Sequence, residues 1–390
     1  MWPFRRDSRR VRPGRALPGS AGLTLVEILV SMALAVILLG SIYYVYALSS
    51  ASYRMAGQQL RAMDQARFAM EQIRRDVAAA AFMATPASTS DPNVCRKPSP
   101  PLHGIALQQV GDVANGGLGA NDNQNISPTA VTLLGAWWNT GIYVVDHIDG
   151  LGTQVFLRTD SLPPRAEFDA TFVPGRFLRV VTQDQFELYP IIAAADHGTG
   201  IPTLTPGTAL PVAVPPDSCG YYGDGNGMEI NVVGYVRYRI VRDSRAGAPA
   251  AKTDLVREEM DNRFQPVRGS MLVIAEHVID LQFYDFVFDS DTSRRDPNLA
   301  VTPLVTGVVN GSTGILGTND DATPQRLRYL TAKVTTRTEE EDQGLRFAPR
   351  QNLFAPIDSY QVDPIMEGAA RTASLATRIG LRSFAVRNVL

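Results

Sequence analysis

Between Ile28 and Tyr53 the chain runs for 26 residues without a charged side chain. About 20 apolar residues are enough for a helix to cross the hydrocarbon core of a bilayer. In lipid every backbone polar group must be satisfied within the segment, so a run of this kind constrains the chain to a helix before anything else is considered. At its head stands an acid, Glu27, rather than a lysine or arginine. A carboxylate at the edge of a membrane span is costly and asks for a cationic partner. In front of it lie Arg5, Arg6, Arg9, Arg10, Arg12 and Arg15 against one acid, Asp7. Such a cationic flank holds the N-terminus in the cytoplasm and sends the rest of the chain across.

An ordinary secretory signal has an apolar stretch of roughly 7–15 residues followed by a cleavage site of small residues. Here the apolar stretch is longer and the small residues precede it. Gly22-Leu23-Thr24-Leu25-Val26-Glu27 resembles the prepilin processing site, in which a membrane peptidase cuts after the glycine. Leu23 stands where Phe is usual. With the basic leader and the acid as fifth residue after the cut, the chain resembles a type IV pilin-like protein. The resemblance implies that residues 1–22 are removed, that Leu23 is N-methylated, and that 23–84 form the pilin helix. Its 23–50 portion would serve first as a transmembrane segment and then in the fibre core.

Cleavage would place a new α-amino group on Leu23. In a fibre core of low dielectric, that cation and the Glu27 carboxylate of a neighbour are each costly alone and compensate one another together. The plain alternative for Glu27 is an acid in the first helical turn, favoured by the helix dipole. A membrane anchor followed by a stalk helix would also explain the segment without any fibre.

No proline occurs between Pro18 and Pro86, so one continuous helix is expected from Thr24 to about Met83. Past Tyr53 the sequence becomes amphipathic. Leu60, Met63, Ala66, Met70, Ile73, Val77 and Ala80 recur every three or four residues and predict one apolar stripe. Arg61, Asp64, Arg67, Glu71, Arg74, Arg75 and Asp76 are expected on the opposite face.

Residues 85–228 are richer in Pro, Gly, Asn and Asp and read as an irregular β insert. Its candidate strands are Ala130–Trp138, Ile142–Ile148, Gln154–Arg158, Phe177–Thr182 and Gln185–Ile192. Asn115–Asn125 and Pro202–Pro216 are expected to be loops. In 229–390 the candidates are Ile230–Val241, Thr253–Glu259, Met271–Phe288, Arg326–Thr338 and Thr372–Asn388. Tyr235 to Ile240 alternates as a half-buried strand should. The expected fold is α+β: a long N-terminal helix packed on an antiparallel sheet, as in type IV pilins, with the β-rich insert between them. Glu71-Gln72-Ile73-Arg74-Arg75-Asp76, Pro174 to Leu178, Asp254 to Glu258, Ala275 to Phe283 and Arg382-Ser383-Phe384 resemble the PilW family of minor pilins.

The formal net charge is −2, and removal of residues 1–22 leaves 31 bases against 38 acids. No basic stripe follows the leader, so nucleic acid is not an expected partner. Cys95 and Cys219 both lie beyond the membrane segment. In an oxidising compartment they are a candidate disulfide, closing a loop of about 125 residues worth up to ~4–5 kcal/mol in the chain-entropy picture. Two separate buried thiols are the alternative.

His103, His147, His197 and His277 have no metal-ligand spacing, and no catalytic motif is present. His277 is expected to be a hydrogen-bonded histidine in a strand. Asp289-Ser290-Asp291 could offer oxygens to calcium. Asp224-Gly225-Asn226-Gly227 resembles part of a calcium loop but places Met228 at a ligand position. Solvated turns account for both. Trp137-Trp138 reads as core or as an interaction surface.

The resemblance implies a non-enzymatic minor pilin without cofactor or resident metal, helping to start assembly at or near the pilus tip. Its partners would be the prepilin peptidase, other minor pilins, the major pilin and the inner-membrane assembly platform, with a tip adhesin as a further candidate. It would sit in the inner membrane with its C-terminal part periplasmic, then in the fibre. A type II secretion pseudopilin of the J kind shares the N-terminal features, and deletion phenotype (twitching against secretion) separates the two.

Overall fold

The helix foreseen from the proline-free stretch forms as α1, Leu25–Ala78, in the computed structural model of the chain. The structure describes residues 24–109, 126, 128–198, 200–214, 217–242, 252–289, 301–304, 327–348, 356–362 and 368–386. The chain divides into two compact units, one ending at Ala56 and the other starting at Gly57. α1 contributes to both.

In the first unit the large apolar side chains of α1 are exposed from Leu25 and Val26 through Leu38, Tyr43 and Leu48 to Tyr53, and Met55 is half-buried. A helix apolar all round is stable only against lipid or protein. Two serines in this stretch turn their hydroxyls back to the helix. Ser31 donates to the carbonyl of Glu27, and Ser41 donates to that of Ile37 at 2.9 Å. Such back-bonding satisfies a hydroxyl that would otherwise face an apolar surrounding.

The second unit holds the rest of α1 and two antiparallel sheets. The first sheet comprises β1 (Ile105–Gln109), β2 (Thr129–Gly135), β3 (Tyr143–Ile148), β4 (Val155–Leu157), β5 (Phe177–Val181), β6 (Glu187–Leu188), β7 (Ile192–Asp196), β8 (Thr203–Pro206), β9 (Glu229–Arg242), β10 (Thr253–Met260) and β11 (Leu272–Glu276). Its main path is β1-β2-β9-β3-β4-β8-β7, with β10–β11 and β5–β6 also built onto β9. The second sheet is β13-β12-β14-β16-β15, from β12 (Val278–Asp289), β13 (Val301–Leu304), β14 (Leu327–Arg337), β15 (Ser359–Tyr360) and β16 (Ala370–Gly380). Two short helices complete the fold: α2, Arg165–Thr171, and α3, Arg382–Val386.

The α+β expectation holds, with several local corrections. The buried stripe of α1 is Ala62, Ala66, Ala69, Met70, Ile73 and Val77, while Leu60 and Met63 are exposed. Asp76, expected on the solvated face, is buried. Helix α1 stops at Ala78, short of the expected Met83, and beyond it the chain turns through two left-handed residues, Ala81 at φ 57° and Met83 at φ 53°. Met271–Phe288 is not one strand: His277, at φ 55°, breaks it into β11 and β12, which belong to different sheets. Part of the Pro202–Pro216 loop pairs as β8. Thr372–Asn388 ends as strand at Gly380 and turns into α3.

Residues 85–228 and 229–390 do not separate into different sheets. The first half of β9 pairs with β3 and β5 from the insert, and its second half pairs with β2 and β10. β9 is covered on both faces, which is why Tyr235 and Val236 are both buried. Val236, Tyr238 and Ile240 face the helix core, with Ala69, Met70, Ile73 and Val77 of α1 and Val278, Leu281, Leu330 and Val334 of the second sheet. Val233 and Tyr235 face a second cluster with Phe177 and Met260. A third core, around Phe168, Phe172, Tyr143 and Val180, fills the insert.

Candidate functional site: the head of helix α1 and its anchor in the sheets

The head of α1 begins with a reciprocal cap. Thr24 donates its backbone N–H to Glu27 Oε2 at 2.9 Å and its hydroxyl to the same oxygen at 3.0 Å. In return the Glu27 N–H donates to Thr24 Oγ1 at 3.3 Å. Thr-x-x-Glu is a capping box, which ties up two of the backbone donors left over at a helix start. Glu27 therefore has a partner within its own chain. The signal was present as Thr24-Leu25-Val26-Glu27. Gly22 and Leu23, the expected cleavage and methylation positions, lie outside the described residues.

Helix α1 is the one helix, among the described residues, long and apolar enough to cross a membrane. Chemically its first unit offers adhesion without specificity, plus a single carboxylate at one end. The anchoring of α1 in the second unit is of a different kind. Asp76 Oδ2 accepts from the Tyr238 hydroxyl at 2.6 Å and from Arg257 Nε at 2.8 Å. Gln72 Nε2 donates to Asp76 Oδ1 at 3.4 Å. Burial and the neighbouring carboxylate push the Tyr238 hydroxyl well above its ordinary pKa, so it stays a donor. The helix is thus tied to β9 and β10 by one buried charge with partners on both strands. At its lower margin, Thr336 Oγ1 donates to the Ala62 carbonyl at 2.7 Å, and Gln58 Nε2 donates to Glu340 Oε2 at 2.8 Å.

A comparable cluster backs the sheet. Glu258, 2% exposed, sits between Arg237 and Arg239 with N–O distances of 2.6 and 2.7 Å. Burial pulls its carboxyl upward, but the hydrogen bonds from Arg239 and Arg237 more than offset this and hold it below the usual range. In the insert, Arg179 bridges Glu187 and Asn231, and Asn231 Nδ2 donates to the Met83 carbonyl at 3.2 Å. Cys95 and Cys219 form a disulfide with Cα atoms 5.6 Å apart, clipping the segment after α1 to the turn before β9.

The tryptophans are packed and hydrogen-bonded. Trp137 Nε1 donates to the Gly234 carbonyl at 2.8 Å, and Trp138 Nε1 donates to Glu259 Oε1 at 2.7 Å under the Arg176 guanidinium. A Cβ at position 234 would come within 2.5 Å of the Trp138 ring, so this close approach requires glycine.

The histidines remain apart. His147 stacks on Phe156 and pairs with Asp146, and His197 lies edge-on to Phe168. His277 is not the hydrogen-bonded strand residue expected. It occupies the break between β11 and β12, and its buried Nδ1 has no hydrogen-bond partner among the described residues. Burial, with Arg337 and Lys252 nearby, lowers its pKa to about 4. Burial also lowers that of His103. Among the described residues no three His, Cys, Asp or Glu side chains gather as metal ligands. Asp224 Oδ1 accepts from the Asn226 N–H and Asn226 Nδ2 donates to the Asp146 carbonyl, so that turn is bonded internally. Asp289 closes β12, and Asp291 lies outside the described residues. No family model, curated protein or solved structure matches the chain.

Proposed function

We propose that this chain is a non-enzymatic, membrane-inserted subunit of a type IV pilus, a minor pilin of the PilW kind that helps to start assembly near the tip. The observation that carries the reading is the contrast along one helix. Residues 25–56 of α1 expose apolar side chains all round, whereas its continuation from Gly57 is embedded in a folded unit. A surface of that extent calls for lipid, and after extraction from the membrane for neighbouring helices. The arginine-rich leader, Gly22, and Glu27 at the helix head add the processing and pairing chemistry.

On this reading Glu27 has two successive partners. In the membrane it caps its own helix through Thr24. After a cut behind Gly22, the amine of Leu23 on a neighbouring subunit competes for the carboxylate, and in a dry fibre core a full cation outbids a backbone N–H. N-terminal sequencing and mass determination of the mature protein test the processing: the chain should begin at a methylated Leu23. A mature chain that keeps its arginines, in cells with an active prepilin peptidase, overturns the reading. Glu27→Gln keeps an acceptor for the Thr24 N–H while removing the charge. It should insert and be cleaved normally, yet enter sheared pili roughly tenfold less than wild type, because the pairing charge is lost. Normal incorporation would reduce Glu27 to a cap.

A further inference from the structure

Along most of its length β16 is an edge of the second sheet. On one side it pairs with β14 in an unbroken register, from Arg337 opposite Thr372 to Tyr329 opposite Gly380. On the other side β15 covers only its start, setting Ser359 opposite Arg371 and Tyr360 opposite Ala370. Which backbone groups are left over follows from the ends of the ladder. Thr338 N–H donates to the Arg371 carbonyl and Leu381 N–H to the Arg328 carbonyl, each at 2.8 Å. Odd-numbered residues of β16 therefore turn their backbone groups toward β14, and in an antiparallel ladder the even-numbered ones turn theirs away. Among the described residues nothing hydrogen-bonds to the backbone of Ser374, Ala376 or Arg378, and all three are exposed.

A bare row of donors and acceptors is a template for another strand, and folded proteins blunt it with charge, proline, bulges or short length. The second sheet uses such means elsewhere. β13 and β15 have four and two residues, and β12 meets β14 with shifts of register. From Thr372 to Thr377 β16 uses none of them: the run Thr-Ala-Ser-Leu-Ala-Thr is uncharged, free of proline and without a bulge. Beyond it Arg378 lies over the Tyr329 ring, 4.7 Å from its centre. Leu375 stands half-buried at the margin of the helix core.

The occupant can be read from the same stretch. β15 closes the edge before Thr372, and the turn at Leu381 into α3 closes it after Gly380, so its midpoint is Ala376. Two identical edges meet about a two-fold axis, which makes them antiparallel. Centred on the midpoint, such a pairing sets Ala376 opposite Ala376, Ser374 opposite Arg378 and Leu375 opposite Thr377 of the second copy. Every outward N–H and carbonyl from 372 to 380 then finds a partner. The two Arg378 side chains stand about 14 Å apart along the strands, farther than the screening length of physiological salt, so no like charges oppose each other. We propose that β16 is the pairing edge of a homodimer, in which residues 372–380 of two copies zip antiparallel about Ala376 and join their five-stranded sheets. The assignment is independent of the pilus reading.

The test uses the full chain in a neutral detergent. Its two native cysteines are bonded to each other, so a cysteine placed on the edge is the reactive one. Single variants Ala376→Cys, Ser374→Cys and Arg378→Cys are mildly oxidised and the cross-linked fraction is measured. Facing residues of an antiparallel ladder lie about 5.5 Å apart at Cα, within the span of a disulfide. Ala376→Cys should therefore cross-link to a dimer. Ser374→Cys and Arg378→Cys, each about 14 Å from its own counterpart, should do so roughly tenfold less. Mixing those two variants should restore the cross-link. Ala376→Pro removes an outward N–H at a place where a sheet edge tolerates proline. With both central hydrogen bonds lost, the concentration at which light scattering finds half the chain dimeric should rise roughly tenfold or more, at an unchanged melting temperature. Should Ala376→Pro melt early, the cysteine series decides alone. A dimer held instead by the apolar stretch of α1 would be indifferent to Ala376→Pro and show no preference among 374, 376 and 378. Either of those results, or a chain monomeric at every concentration, overturns the proposal.

Discussion

Asp76 shows how one side chain can carry an interface. It lies at the three-residue spacing from Ile73 that the apolar stripe uses, so the helix turns it toward the sheet, where Tyr238 and Arg257 receive it. From the sequence it belonged with Arg74 and Arg75 on the wet face, because a charge is normally placed in water. Only the partners, 162 and 181 residues away, reverse that placement. Asp76→Asn keeps the volume but leaves the Arg257 charge unanswered. It should lower the unfolding free energy by about 3 kcal/mol, read from urea melts of the detergent-solubilised chain. A change within experimental error would mean the network is dispensable.

His277 makes a second residue-scale prediction. Its folded pKa of about 4 lies below the 6.5 of the unfolded chain. Between these values the unfolded state binds the extra proton, so stability is complete above pH 6.5 and declines as the pH falls toward 4. The decline attributable to this ring reaches up to about 3 kcal/mol. His277→Asn, which accepts the left-handed backbone, should flatten the stability profile across that window. A profile that keeps its slope in the variant assigns the decline to other groups.

At the scale of elements, most strands were legible where aromatic and β-branched residues bunch. The core of β5 (Phe177–Val181), β9, β10 and β14 all fall within a residue or two of expectation. What periodicity alone could not give was phase. Spacing placed Ala66, Met70, Ile73 and Val77 correctly but admitted Leu60 and Met63 to the stripe of α1, where the sheets instead take Ala62 and Ala69, whose small side chains allow close approach. Helix α2 went unseen because it is short. Its marks were Pro163-Pro164 ahead of it and the i, i+4 pair Phe168 and Phe172, whose rings pack 4.5 Å apart. Truncation tests whether Leu60 belongs to the stripe as Ile73 does. Ile73→Ala should cost roughly 2–5 kcal/mol, while Leu60→Ala should stay within about 0.5 kcal/mol. Equal costs would restore the stripe drawn from spacing.

For the molecule as a whole, the division at Ala56 and Gly57 separates two kinds of stability. Among the described residues the buried apolar clusters draw on positions after Gly57. A fragment spanning 57–390 should therefore remain monodisperse without detergent and unfold cooperatively, by size-exclusion chromatography and calorimetry, while the full chain requires detergent. Aggregation of the fragment would show that the first stretch of α1 is needed for folding. The cap at the helix head was legible because its chemistry is local: Thr24 and Glu27 stand three residues apart. The Asp76 network was not, since Tyr238 and Arg257 reach it only after the sheet has brought distant segments together.

The double duty of β9 limits how this chain can be re-engineered or recombined. A chimaera that grafts residues 85–228 onto a relative's scaffold would leave β5 without Glu229–Val233, the backbone it zips to. The graft becomes self-sufficient only when it carries β9 with it, and then the recipient helix must also find its tyrosine hydroxyl at position 238.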